Sequence, residues 1–252
     1  MSATVEKAKA NWTGYWQQPG VAESFGGKEE LKQNPKYYLE EEPIANLIPK
    51  CDCILDAGCG VGRYTTLVKD KCILYVGVDY SEKMLETARK NNPFPNVSFV
   101  QGDLESIDLK KILFDKQVAK EKWDVGLLIA IIRHLPYEKG LAVLRHVAGA
   151  CKTLFFTATI VPEDKEIPMI VKGIGENVIT DHPYHMSDIK KALGVDTISV
   201  IPIGDRDPTE GDRYLFRFGA SIDVEEPESP PVVRKNKPWN RLSSVKGMIQ
   251  HG

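Results

Sequence analysis

The chain has 252 residues, 42% hydrophobic and 27% charged, with a formal net charge of -2. That suits one globular domain with appendages, whose core needs no staples, and it excludes a global field strong enough to hold a polyanion by charge alone. Five cysteines, odd in number and mostly in apolar runs, argue against a disulfide framework and for free thiols in a reducing compartment.

The amino-terminal MSATVEKAKANW has no apolar segment of signal-peptide type, and no apolar run approaches the ~20 residues of a spanning helix. The expectation is a cytoplasmic protein that does not enter a membrane. Residues 1–50 mix Trp12, Tyr15, Trp16, Phe25, Tyr37 and Tyr38 with polar residues and read as a helical lid over a core. From Cys53 onward, strand and helix signals alternate. Ile54 to Asp56 reads as a strand, and Arg63 to Asp70 as a helix with Tyr64, Leu67 and Val68 on one face. Ile73 to Val78 is a strand. Ser81 is placed to cap a helix that buries Met84, Leu85 and Ala88. Val97 to Val100 is a strand, and Leu104 to Lys122 one helix plus loop. Val125 to Ile132 is a continuous apolar run, as for a strand buried on both faces. Leu141, Leu144, Ala148 and Cys151 mark a helix, and Leu154 to Ile160 a fifth strand.

The last two strand-like runs, Thr197 to Ile203 and Arg213 to Phe218, are joined by Gly204 to Asp212, with no room for a helix. They should pair antiparallel. The fold class is therefore α/β: a Rossmann-like, doubly wound, seven-stranded, mainly parallel sheet over residues 51–221, closed by an antiparallel β-hairpin. Residues 222–252 are Pro-rich and charged and read as a flexible tail.

Leu55 to Thr65 reads LDAGCGVGRYT, with Gly58, Gly60 and Gly62 alternating between a strand and a helix. Glycine admits positive φ and lets the backbone approach a ligand closely. Dinucleotide and S-adenosylmethionine sites both use such a loop. A dinucleotide fingerprint, G-x-G-x-x-G, would place its third glycine where Arg63 stands. Asp79, 21 residues after Gly58, closes the second strand and suits ribose hydroxyls. Asp103 closes the third. Three acids, Asp56, Asp79 and Asp103, thus converge at successive strand ends, where open α/β sheets bind ligands.

In LDAGCGVG, GVDYS (Gly77 to Ser81), QGDLE (Gln101 to Glu105) and WDVGLLIAIIRHL (Trp123 to Leu135), the chain resembles the class I S-adenosylmethionine-dependent methyltransferases, over roughly Tyr37 to Ala220. The resemblance implies S-adenosyl-L-methionine as cofactor and S-adenosyl-L-homocysteine as product. It implies that Asp56 and the backbone at Gly58, within the Gly58–Gly60–Gly62 loop, face the methionine amino group, with Arg63 near the carboxylate. Asp79 would hold the ribose hydroxyls. Tyr80 and Leu104 would flank the adenine, Asp103 would bind its amine, and Ile129 and Ala130 would line the methionine end.

The acceptor is less legible. A hydroxyl acceptor needs a base. His134, after the fourth strand in IIRHLP, is one candidate; Asp181 and His182, in a possible base pair before a Ser187-capped helix, are others. A packing or turn role competes for each. The insertion after the fifth strand, near 161–186, is the expected acceptor pocket. No metal site is expected, since Cys51-x-Cys53 has no second pair. A small-molecule acceptor, most naturally a hydroxyl oxygen of a sugar, lipid or secondary metabolite, is the leading expectation. A nitrogen acceptor, RNA or protein capture by the basic tail, and a non-catalytic cofactor-binding protein are the alternatives. The missing N/D-P-P-Y/F and Pro-Cys motifs disfavour methylation of adenine amines in DNA and of cytosine C5, and the net charge makes nucleic acid a disfavoured partner. The sequence leaves the oligomeric state open. The ribose assignment predicts that Asp79→Ala weakens S-adenosylhomocysteine binding by about 1.5–3 kcal/mol in calorimetry, the scale of a hydrogen bond to a charged group; unchanged affinity in a folded variant would refute it.

Overall fold

The computed structural model describes residues 40–167, 170–174, 177–207 and 211–219. The tail expected at 222–252 and the lid as far as residue 39 lie outside the described residues. Helix α1, Glu41–Leu47, carries acids in its first turn and stops where Pro49 forces Ile48 into an extended conformation. Then come β1 (Cys51–Ala57), a short α2 (Thr65–Val68) running into a 3-10 turn, and β2 (Cys72–Asp79). Helix α3 (Glu82–Asn91) starts as expected: the Ser81 hydroxyl accepts the Met84 N–H, and Met84, Leu85 and Ala88 are buried. After β3 (Val97–Gln101), α4 (Leu109–Asp115) is capped by Asp108, whose Oδ1 accepts the Lys110 and Lys111 N–H groups. Strand β4 (Trp123–Leu128), α5 (Tyr137–Ala150) and β5 (Cys151–Ile160) follow. The remaining elements are β6 (Ile170–Ile174), β7 (Asn177–Asp181), α6 (Met186–Leu193), β8 (Ser199–Asp207) and β9 (Gly211–Gly219).

Seven strands form one sheet in the order β3-β2-β1-β4-β5-β9-β8, parallel as far as β5. The closing hairpin is antiparallel, with β9 paired along β5 from Thr153↔Gly219 to Ile160↔Asp212. This is the expected fold class. The order reverses beside β1, so β1 and β4 flank a crevice at their carboxyl ends. One face of the sheet buries Ile54, Tyr64, Tyr75, Leu127, Ile129, Phe155 and Leu215 against α1 and α2. The other buries Leu55, Leu128, Leu154, Phe156 and Phe216 against α4, α5 and α6.

Several local expectations change: the helix expected over Arg63 to Asp70 shrinks to Thr65–Val68 and a 3-10 turn, Cys151 opens β5 rather than closing the helix before it, and β8 and β9 extend into the expected loop Gly204 to Asp212. Three further changes lie nearer the crevice. The fourth strand ends at Leu128 rather than Ile132, because Ala130 adopts φ +59° and turns the chain into a 3-10 segment, Ile132–His134. The apolar run continued only because Ile129 and Ile132 are buried beyond the strand. The insertion after β5 contains its own two-stranded sheet, β6 paired antiparallel with β7. Helix α6 is entered from His185, not capped by Ser187; the Ser187 hydroxyl instead donates to Glu163 at 2.7 Å. Phe156 and Phe216 stack at 4.8 Å across β5 and β9, both fully buried. Phe156→Ala should therefore lower unfolding free energy by about 3–5 kcal/mol in chemical denaturation; a loss below 1 kcal/mol would show that this stack does not seat the hairpin.

Candidate functional site

The glycine loop leaves β1 with Gly58, Gly60 and Gly62 all at positive φ, +79°, +52° and +74°. At Gly58 the positive φ is combined with a close approach. A Cβ there would lie 2.2 Å from the Ile131 side chain, so the turn after β4 rests directly on the loop. The loop N–H groups are largely spent inside the protein. Gly58 and Cys59 donate to the Val78 carbonyl, Gly62 to the Cys59 carbonyl and Gly60 to Asp79 Oδ2 at 2.8 Å. A phosphate cradle needs free, convergent N–H groups. This loop offers close backbone instead, which argues against a pyrophosphate.

Asp79 ends β2 with Oδ2 on the Gly60 N–H and Oδ1 on the Ser81 N–H at 2.9 Å. An ionised carboxylate accepts about four hydrogen bonds, so capacity remains for two hydroxyls. Burial raises its pKa. Asp56, at the end of β1, is 1% exposed, and the Tyr75 hydroxyl donates to it. Burial pushes it up to about 7, with a smaller opposing effect of the Tyr75 hydrogen bond. Asp103 is exposed, and its Oδ1 accepts the Glu105 N–H in a local turn. Leu104 and Ile129 are buried, and Tyr80, just past the end of β2, is 51% exposed.

The turn after β4 is held from three directions. The Thr157 hydroxyl accepts the strained Ala130 N–H at 2.7 Å. The Tyr184 hydroxyl donates to the Ile132 carbonyl at 2.8 Å, and the His182 N–H donates to the Arg133 carbonyl at 2.7 Å. This turn presents His134. Its Nδ1 lies 2.9 Å from Asp181 Oδ1, and Arg133 grips the same carboxylate through Nε at 3.2 Å and a terminal nitrogen at 2.5 Å. The structure thus joins Asp181 to His134 and Arg133, whereas the sequence suggested Asp181 with its neighbour His182. Burial lowers the His134 pKa against the opposing pull of Asp181, and burial likewise lowers that of His182. The hydrogen bond from His134 and the charge of Arg133 outweigh burial at Asp181, whose pKa falls well below the carboxylate range.

Three participants carried no sequence signal. Glu40 is 1% exposed, and its Oε1 takes both Arg63, at 3.5 Å, and Arg213 of β9. In the sequence Glu40 is one acid of EEEP, and Arg213 one basic residue of a strand. Arg63 also donates to the Tyr64 hydroxyl, and its Nε lies 3.4 Å from Glu41. Tyr75 reads as an ordinary strand aromatic. Within this cluster Glu40 Oε2, Arg63 Nε and Arg213 Nε are buried without a hydrogen-bond partner. Each such atom costs about 1–3 kcal/mol or more when charged, and together they offer both donors and an acceptor. That set fits a zwitterionic amino-acid group, the methionine end of S-adenosylmethionine. Among the described residues no group of three His, Cys, Asp or Glu side chains could hold a metal, and no helix is long and apolar enough to cross a membrane.

Residues 54–153 match the family model described as Methyltransferase domain. Malonyl-[acyl-carrier protein] O-methyltransferase of Halalkalibacterium halodurans is 40% identical over 85 residues, 32% of this chain and 29% of that protein. The 23S rRNA (uracil(1939)-C(5))-methyltransferase RlmD of Marinomonas sp. (strain MWYL1) is 31% identical over 130 residues, 42% of this chain and 29% of that one. The chain spans under a third of the length of either relative. Among solved structures, a DhpI complex with S-adenosylhomocysteine matches at TM-score 0.56 and 14% identity, covering 84% of this chain and 96% of that one. An S-adenosylmethionine-dependent methyltransferase from Clostridium acetobutylicum matches at 0.52 and 14%, covering 75% and 95%. At that identity the likeness is one of fold. The chain shares its fold with these S-adenosylmethionine-dependent methyltransferase structures, and residues 54–153 carry the match to the methyltransferase-domain model.

The raised pKa of Asp56 fixes a sign. Folded protein keeps a proton on Asp56 that unfolded chain releases near pH 4, so this group's contribution to stability is full below about pH 4 and is lost as pH rises towards 7. Denaturation midpoints of Asp56→Asn against the unmutated chain should converge at pH 4 and separate, in favour of Asn, at pH 7; parallel curves would mean that Asp56 is not held protonated.

Proposed function

We propose that this protein is a methyltransferase that uses S-adenosylmethionine to methylate an oxygen of a small-molecule acceptor. The observation that carries the reading is the contact of His134 with Asp181 at the crevice rim, 2.9 Å between Nδ1 and Oδ1. When bound, the cofactor supplies an electrophilic methyl on a sulfonium whose thioether leaves neutral, so no acid is needed. What the protein adds is alignment, worth up to ~7–11 kcal/mol, and removal of the hydroxyl proton.

Asp79 accepts the ribose hydroxyls through its remaining lone pairs. Tyr80 and Leu104 bracket the adenine, and Asp103 takes its amine. The loop Gly58–Gly60–Gly62, with Asp56, Arg63, Ile129 and Ala130, receives the methionine end. An arriving ammonium would stabilise ionised Asp56, which burial disfavours in the free protein. His134 is kept neutral by burial. Asp181 holds its Nδ1–H, which leaves Nε2 as the basic nitrogen. The Asp181 charge stabilises the imidazolium that forms on proton transfer. His182, whose backbone locks the Arg133 carbonyl, is a wall of the same rim rather than the base. The β6–β7 insertion covers the acceptor side.

One relative is by name an O-methyltransferase. The other is by name a uracil C5 methyltransferase of ribosomal RNA, and methylation at an unactivated ring carbon calls for a nucleophile such as a thiolate. Burial raises the pKa of all five thiols: Cys51 to about 12, Cys53 and Cys72 to about 11, and Cys59 and Cys151 far above the ordinary range. Inert thiols favour an oxygen acceptor.

The full chain, incubated with methyl-labelled S-adenosylmethionine and sets of hydroxyl, carboxylate and amine metabolites, should label a hydroxyl compound. Label confined to RNA or protein would refute the reading. His134→Ala should lower turnover of that acceptor by roughly 10²–10⁴ with unchanged affinity for S-adenosylhomocysteine. Near-normal turnover of that hydroxyl compound would reject His134 as its base; label on an amine instead would point to a nitrogen acceptor, which needs less help.

A further inference from the structure

We infer that Glu40 and Arg213, brought together across 173 residues of sequence, form the clamp for the amino-acid head of the methyl donor. The inference rests on the donor assignment above and adds two residues to it, from the start of α1 and from the closing hairpin. Three observations carry it.

The first is position. Arg213 opposes Thr159 near the carboxyl end of β5, so β9 delivers it to the crevice end of the sheet. Arg63 leaves the glycine loop at that same end, and one oxygen of Glu40 takes both guanidinium groups. The glycine loop, the amino-terminal segment and the hairpin thus meet at one carboxylate.

The second is what the triad leaves unsatisfied. Glu40 Oε2 and Arg213 Nε are buried and lack hydrogen-bond partners, while Arg63 Nε, also without a hydrogen bond, has the Glu41 carboxylate at 3.4 Å. A buried ion group that served stability alone would have its remaining donors and acceptors met, since each orphan forfeits its hydration. Here both kinds are orphaned side by side. A ligand with an ammonium and a carboxylate on neighbouring atoms supplies the matching pair: the ammonium donates to Glu40 Oε2, and the carboxylate accepts from arginine N–H groups. A simple anion would leave Oε2 unmet, and a simple cation would leave the guanidinium nitrogens unmet.

The third is surroundings. Glu41 adds a second carboxylate 3.4 Å from Arg63 Nε, and the Tyr64 hydroxyl, which receives a bond from Arg63, completes a polar patch among the apolar Ile44, Val68 and Ile129. Adenosine alone has no charged group for such a patch, so the clamp should act on the head group only.

The test compares S-adenosylhomocysteine with 5′-methylthioadenosine, which keeps the nucleoside and thioether but lacks the amino-acid head. In calorimetry of the full chain, Glu40→Gln and Arg213→Gln should each weaken S-adenosylhomocysteine at least tenfold and leave 5′-methylthioadenosine within about twofold. The ratio of the two affinities is the readout, because partial unfolding lowers both together. The double variant Glu40→Gln/Arg213→Gln removes both charges, leaves Arg63 paired with Glu41 and keeps the test available if a single variant fails to fold. An unchanged ratio in the double variant overturns the clamp. An unmutated chain that binds both ligands equally overturns the clamp and leaves the donor assignment standing. One that binds neither overturns both.

Discussion

The close approach of Ile131 to Gly58 is the constraint on which the rest of the site depends. The space a Cβ would fill at Gly58 is occupied by a side chain from the turn after β4. With any other residue at position 58 the turn would be pushed off the loop, and Ala130 would lose its seat against Thr157. The same turn carries Arg133 and His134 to Asp181. One missing methyl group therefore fixes the distance between the glycine loop with the Asp79 end of β2 and the turn that joins His134 to Asp181.

Strain and burial recur around this contact. Ala130 is held at φ +59°, a conformation costing of order 1–3 kcal/mol for a residue with a side chain. Asp56 is held in a place where it prefers its proton. Buried Glu40 and half-buried Arg213 each keep an inner polar atom without a hydrogen-bond partner. A fold selected only for stability would relieve each of these. Their clustering at the carboxyl end of the parallel strands follows the general rule that strain is retained where a ligand repays it.

The histidine at this rim gains its chemistry from the insertion. His134 by itself is a half-buried imidazole with a lowered pKa. Asp181 at the end of β7 sets its orientation, and Arg133 keeps Asp181 ionised. The end of β7 thus brings a charge beside His134, and in the segment that follows it the Tyr184 hydroxyl donates to the Ile132 carbonyl. Gly140 of α5 leaves room for that hydroxyl, since a Cβ there would lie 2.0 Å from it.

The amino-acid sequence by itself determined the sheet, the glycine loop and the acids at its strand ends. Those features are local: a period of two or of 3.6, a capping serine, a glycine where φ must be positive, an acid one strand further on. It also marked His134, Asp181 and His182 as candidates, but it paired Asp181 with its neighbour in the chain. Only the tertiary structure decided that Asp181 reaches His134 across 47 positions and that Glu40 reaches Arg213 across 173. It likewise ended β4 early, because the turn at Ala130 is imposed by Thr157 and by Gly58 rather than by its own residues. Pairing of charges in a protein is set by which strand ends lie side by side, and strand order β1-β4-β5-β9 is not written in any short stretch of chain. Periodicity reports which face a residue takes; the order of the strands reports what it meets there.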